Sequence, residues 1–266
     1  MYQTTYHRAS SIDEAVRLLN EAGDAKFVAG GQTLIPTMKQ RLAAPSDLID
    51  LRHIPELKGI TVSGTSVRIG ACTPHADVAG NAGLKAVCPA ICHLASLIGD
   101  PHVRHMGTIG GSIANNDPAA DYPSAVLALK ATVHTNKRDI AADDFFVGLF
   151  ETALEPDEII TAVSFNAPEK AGYAKFPNPA SRYAMTGVFV AKHADGVRVA
   201  VTGAGENGVF RATELEDRLN ASFSEDALAG ATVPADGLMS DIHASAEYRA
   251  NLIVVMARRA VAAANA

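Results

Sequence analysis

"VAGGQTLIP", residues 28–36, sets two adjacent glycines between a short apolar run and the start of a helix. Upstream, "KFVAG" (26–30) reads as a buried strand. Downstream, Leu34, Ile35, Met38 and Leu42 recur at helical spacing, and Pro36 is tolerated because first-turn N–H groups have no intrahelical partner. The local order is strand, Gly-Gly, helix. Such a junction has two physical uses. Glycine pairs serve turns that need positive φ; consecutive N–H groups in a tight glycine loop also converge on an anion, which the missing Cβ lets reach the backbone.

A second pair repeats the pattern. "TIGGS", residues 108–112, again follows apolar residues and again ends on a hydroxyl side chain, Ser112 answering Thr33 in "AGGQT" (29–33). Two such loops suit the two halves of a diphosphate, although from spacing alone each is read first as a turn. "GAGENG", residues 203–208, matches GxGxxG after the strand-like "VRVAVT". The dinucleotide fingerprint needs a helix at its third glycine and a parallel apolar strand beyond it. "VFRATELEDRL" delays the helix and no strand follows, so this stretch reads as a loop.

Around these loops the chain alternates elements. Ser10 or Ser11 caps a helix that carries Asp13 and Glu14 in its first turn and ends at Gly23. "DLIDL" (47–51) is a strand, and "GITVSG" (59–64) with "SVRIGA" (66–71) forms a hairpin. A helical region is predicted from Pro74 to about Ile98, with Cys88 and Cys92 on one face, and a helix from Tyr122 to Leu129 with Asp121 at its cap. "ATVHT" and "EIITAVSF" add strands, and "NAPEKAG" (166–172) marks a domain boundary. Beyond it "AMTGVFVAKHADGVRVAVTGAG" turns at Asp195-Gly196 as a β-hairpin, and three helical segments end the chain, the last from about Ala244 to Ala264.

At 266 residues and 48% hydrophobic the chain can bury two cores. A net charge of -6 without a Lys/Arg-rich run argues against a nucleic-acid surface, so a phosphate ligand must lean on backbone N–H groups. No apolar stretch resembles a signal peptide or a membrane span, which places the chain in the cytoplasm. Cys72, Cys88 and Cys92 fit neither a disulfide framework nor a metal site, and His102 with His105 lacks further ligands. No GxSxG elbow is present, and Asp143-Asp144 sits at a helix start, where the dipole accounts for it. No metal site and no catalytic group of this chain's own emerge. The residues alone stop at a two-domain α/β or α+β protein, with a phosphorylated ligand left open as one use of its glycine loops.

The order of "AGGQTLIPTMKQRLAAPSDLIDL" (29–51), "VRHMGTIGGSIANNDPAADYPSAVLAL" (103–129), "EIITAV" (158–163) and "YAKFPNPASRYAMTGVFVA" (173–191) resembles the FAD-binding medium subunit of molybdenum hydroxylases, of the carbon monoxide dehydrogenase type. The resemblance spans nearly the whole chain. It implies an α+β protein: a two-subdomain FAD-binding domain of the p-cresol methylhydroxylase type over residues 1–170 (about 1–55 and 56–170), then a C-terminal domain over 171–266 with an antiparallel sheet and helices. It places the FAD diphosphate on Ala29, Gly30, Gly31, Gln32 and Thr33 and on Thr108, Ile109, Gly110, Gly111 and Ser112. Asp121 matches a family acid near FAD, able to accept hydrogen bonds from ribose-type hydroxyls as well as to cap its helix.

Lys175 matches a family lysine close to the flavin, its competing reading being a solvated surface lysine; Tyr183 matches the flavin face, its competing reading being a core aromatic. Lys130 stands where such subunits are expected to have glycine. The resemblance also implies partners: a small subunit with two [2Fe-2S] clusters and a large subunit with the molybdenum cofactor, in a dimer of heterotrimers. Three cysteines are too few for one Cys₄ cluster, as a flavin-only subunit requires. The rival functions are an NAD-dependent dehydrogenase using Gly203–Gly208 and a non-catalytic assembly subunit.

Overall fold

The computed structural model describes residues 1–266. The first sheet holds β1 (Thr5–Arg8), β2 (Ala25–Val28) and β3 (Asp47–Asp50) in the order β1-β3-β2, and both pairings are parallel. Parallel neighbours need crossovers, which α1 (Ile12–Glu21) and α2 (Leu34–Lys39) supply. Ser11 Oγ accepts the Glu14 N–H, and Glu14 reaches back to the Ser10 N–H, so the start of α1 is closed from both sides. β2 is an edge strand with Lys26 exposed, so "KFVAG" buries only Val28 of its strand rather than both faces.

A hairpin of β4 (Ile60–Ser63) and β5 (Ser66–Gly70) begins the second sheet. The expected helical region after it divides into α3 (His75–Gly80), α4 (Ala82–Val87) and α5 (Pro89–Ser96). Asn81 has extended backbone and caps α4 through its side chain, and Pro89 holds Cys88 outside the helical region at φ -148°. Cys88 is therefore a junction residue and shares no helix face with Cys92. α6 (Pro101–Met106), α7 (Ile109–Asn115) and α8 (Tyr122–Ala128) follow, then β6 (Thr132–Thr135), β7 (Asp139–Ala141), α9 (Ala142–Phe145), the small hairpin β8 (Phe146–Gly148) with β9 (Glu151–Thr152), and β10 (Ile160–Asn166). The sheet runs β4-β5-β10-β6-β7 and is antiparallel throughout.

The third sheet is an antiparallel run of β11 (Lys170–Pro177), β12 (Ala184–His193), β13 (Gly196–Thr202) and β14 (Phe210–Arg211), with α10 (Thr213–Ala221) and α11 (Ala246–Asn265) against it. β12 turns into β13 at Asp195-Gly196, as the sequence implies. "GAGENG" is a loop: β13 ends at Thr202, Gly203 turns with φ +78°, and β14 returns antiparallel beside β13. The parallel strand and the helix that a dinucleotide fingerprint requires are replaced by this return, which removes the physical basis of the NAD-dependent alternative.

One core of 31 buried residues joins α5, α7, α8 and the second sheet to Tyr173, Phe189 and Ala200 of the third. A second, of 17, lies between the third sheet and α10 and α11. No helix is long and apolar enough to cross a membrane.

Candidate functional site

A cleft of about 670 Å³ opens where both glycine loops meet. The space suits a small-molecule cofactor. The first loop runs from β2 into α2, and its two glycines have different tasks. A Cβ on Gly30 would lie 2.1 Å from the Met106 carbonyl oxygen and 2.6 Å from Gly107 Cα, so this glycine lets the first loop press against the chain leading into the second. Gly31 takes φ +68°, a left-handed conformation that glycine adopts without a steric cost. The N–H groups of Gly30, Gly31, Gln32 and Thr33 have no acceptor within the protein. They form a run of donors at the cleft wall.

The second loop is built otherwise. Gly110 packs its Cα onto Ala71, where a Cβ would come within 2.6 Å of that methyl, and its N–H bonds the Ala71 carbonyl. Thr108 caps α7 by accepting the Gly111 N–H at 3.1 Å, while the Ile109 and Ser112 N–H groups go to the Thr73 and Thr108 carbonyls. Only the Thr108 N–H of this loop lacks a partner, so the two loops are not equivalent as anion cradles. What Gly111 contributes is room: a Cβ there would meet its own cap, Thr108 Oγ1, at 3.0 Å and the Ala29 methyl at 4.0 Å across the gap. The two loops face each other across the space that Gly111 leaves open.

Asp121 also lines the cleft, and Lys175 stands behind it. Asp121 occupies the position before α8 but makes no capping bond, because its own backbone is already helical at φ -76°, ψ -46°. Its carboxylate instead accepts from Tyr173 Oη at 2.5 Å and from Lys175 Nζ at 3.0 Å. Burial pushes this carboxyl above its ordinary range, against the pull of Lys175 and the Tyr173 hydroxyl. The lysine also donates to the Leu97 carbonyl, and its side chain is only 3% exposed, so the surface-lysine reading is wrong. Tyr183 is 45% exposed at the cleft mouth, beside Ser181 and Arg182, so it is no core aromatic.

His75, first residue of α3, also lines the cleft. Burial, with Arg104 nearby, lowers its imidazole to about 4, so the ring is neutral at pH 7. Glu158 also lines the cleft. Its carboxylate is sealed by Arg138, Thr135 and the Glu155 N–H, and although burial opposes ionisation these partners hold it down at about 2.

Residues 2–168 match the family model described as the FAD binding domain in molybdopterin dehydrogenase. The chain belongs to this family. It is 37% identical to the nicotine 6-hydroxylase medium subunit of Paenarthrobacter nicotinovorans, over 98% of this chain and 97% of that protein. It is 38% identical to the carbon monoxide dehydrogenase medium chain of Afipia carboxidovorans, over 98% of this chain and 96% of that one. A solved structure of reconstituted CO dehydrogenase from Oligotropha carboxidovorans superposes with a TM-score of 0.88 at 36% identity, covering 99% of both chains. The chain is an FAD-binding subunit of the molybdenum hydroxylase class, an oxidoreductase component.

Within this FAD-binding subunit, Ala29, Gly30, Gly31, Gln32, Thr33, Thr108, Gly110, Gly111, Ser112, Asp121 and Tyr183 line one cleft. Two expected residues do not reach its surface: Ile109 is fully buried in the core, and Lys175 stands behind Asp121 and Leu97. The cleft also takes His75, Ile98, Val103, Asp117, Glu158 and Ile159, which the sequence reading passed over. Glu158 and Ile159 open the "EIITAV" stretch, whose apolar run signalled only a strand; nothing local marks Ile98 or Val103.

Proposed function

We propose that this chain is the FAD-carrying electron-transfer subunit of a molybdenum hydroxylase. It takes electrons from [2Fe-2S] clusters of a small partner subunit, after substrate oxidation on a large molybdenum subunit, and passes them to an external acceptor. The observation that carries this reading is the convergence of the two glycine loops, with the N–H groups of Gly30, Gly31, Gln32 and Thr33 free at the wall. The residues fit the cofactor: an anionic diphosphate needs convergent donors and close backbone approach, and both are present in a chain of net charge -6.

In this reading residues 29–33 hold the diphosphate from one side, and Thr108, Gly111 and Ser112 close on it from the other. When bound, FAD supplies the redox centre that accepts electrons and yields them to an acceptor. Asp121 works through Lys175: with both carboxylate oxygens engaged by Tyr173 and Lys175, it fixes a cation behind the cleft wall. The phenol ring of Tyr183 covers the cleft mouth. Residues 1–55 and 56–170 form the two walls, and 171–266 brings Tyr183 and Lys175 to them. The assembly is a cytoplasmic dimer of heterotrimers. Its relatives act on different molecules, nicotine and carbon monoxide in their names, so the substrate is set by the partner.

The test is direct. The purified chain should take up FAD non-covalently at one per chain, release it on denaturation, and turn over no hydroxylase substrate until partner subunits are added. Flavin that stays with denatured protein, or turnover by the chain alone with an artificial acceptor, overturns the reading.

A further inference from the structure

Among the buried polar atoms without a hydrogen-bond partner in the protein are Nδ1 of His75, a residue of the cleft wall, and the hydroxyl of Tyr122. They belong to neighbouring rings, with centroids 5.3 Å apart and planes inclined at 46°. Both side chains are almost sealed, at 5% and 0% exposure, where an unpaired polar atom is costly. The other ring nitrogen of His75 is placed differently. Nε2 lies over Gly107, where a Cβ would come within 2.6 Å of it, and it borders the cleft just ahead of Thr108. Gly107 thus leaves the space that this ring edge occupies. A neutral imidazole carries one proton, and the nitrogen that accepts leaves the other as donor.

We propose that His75 is a cofactor-binding residue whose Nε2–H donates to a diphosphate oxygen of FAD, and that Tyr122 is the positioning residue that fixes this tautomer by donating its hydroxyl proton to one buried water, which in turn donates to Nδ1. The inference rests on the FAD reading and deepens it. It gives the second loop the donor that its own amides, committed to Thr73, Ala71 and Thr108, do not supply. It also gives both orphaned polar atoms a partner in one buried water.

The experiment uses the full chain and FAD itself. Ring ¹⁵N resonances of His75, assigned by difference against His75→Gln, should show a proton on Nε2 in the parent. A proton on Nδ1 overturns the proposal without any variant having to fold. FAD affinity, read by quenching of flavin fluorescence, should fall about tenfold or more in His75→Asn, whose amide reaches only the Nδ1 position, and stay within about threefold of the parent in His75→Gln, whose amide reaches Nε2. Equal affinities for the Asn, Gln and parent chains overturn it while leaving the FAD reading intact. In Tyr122→Phe the His75 resonances should shift toward a mixture of tautomers; an unchanged tautomer overturns the positioning role. A parent chain that binds no FAD overturns both readings at once.

Discussion

Lys175 Nζ lies 3.0 Å from the carboxylate of Asp121, with both side chains almost out of solvent at 3% and 4% exposure. The pair joins β11 of the third sheet to the start of α8, and Tyr173 from the same strand adds its hydroxyl. Removing one partner of such a pair strands a buried charge, which costs about 3–5 kcal/mol, whereas removing both restores much of the loss. Lys175→Met and Asp121→Leu should each lower unfolding stability by about that amount, and the double variant should lose clearly less than the sum. Denaturant midpoints of the four chains measure this. Additive losses would show that the pair is not coupled.

Acid should lower the stability of the chain over two pH ranges. His75 sits at about 4 against an ordinary 6.5, because burial disfavours its charged form; the unfolded state therefore binds the proton first, and stability present above about 6.5 is lost as pH falls toward 4. Glu158 sits at about 2 against an ordinary 4.5: burial raises it, but Arg138 and its other partners lower it more. Its contribution is full above about 4.5 and disappears as pH falls toward 2, on the order of 3 kcal/mol in all. Unfolding free energy followed against pH should lose the upper fall in His75→Gln and the lower one in Glu158→Gln. If both variants keep the parent's profile, other groups govern acid unfolding.

The third sheet was the most legible part of the fold, because β12 and β13 carry alternating and apolar runs around an Asp-Gly turn. The glycine loops were legible as loops, but not their division of labour. That division depends on Met106, Ala71 and Thr108, which reach Gly30, Gly110 and Gly111 only through tertiary packing. Asp121 and Lys175 were named one by one through the resemblance, and neither their pairing nor their burial was legible, since a lone lysine in a strand looks the same exposed or paired. His75 left no signal at all: its pairing with Tyr122 crosses from α3 to α8.

Lys130 was expected to be glycine, and the structure gives the reason: its φ is +51°. The left-handed conformation costs a side-chain residue roughly 1–2 kcal/mol, against which Lys130 offers an ion pair to Asp195 that is largely solvated and worth about 0–1 kcal/mol. Lys130→Gly should therefore be neutral or raise stability by up to about 1 kcal/mol, after the entropy of the unfolded glycine is counted. Lys130→Ala keeps the strain, loses the pair and should fall below both. A thermal midpoint for Lys130→Ala at or above that of Lys130→Gly contradicts this account.

The glycine pairs permit the sharpest separation of folding from binding. Gly30→Ala should damage both, because a Cβ 2.1 Å from the Met106 oxygen must part the two loops. Gly31→Ala adds a left-handed cost of roughly 1–2 kcal/mol and turns the neighbouring N–H groups, so affinity for FAD should drop along with a modest loss of stability. Gly111→Val is the informative case. Its nearest neighbour is only the Thr108 hydroxyl at 3.0 Å, so the fold should survive with about 1 kcal/mol lost at the cap, while the new methyls occupy the gap toward Ala29. FAD affinity in that variant should fall about tenfold to a thousandfold, the equivalent of one or two lost hydrogen bonds to a charged group. Gly205→Val collides with the Gly208 carbonyl and the Phe210 ring, so it should destabilise the chain and yet leave the affinity of the folded fraction unchanged. Circular dichroism and flavin titration on the same samples make the comparison. Undiminished binding in a folded Gly111→Val chain would remove the second loop from the cofactor site, and loss of binding confined to Gly205→Val would move the site to the third sheet.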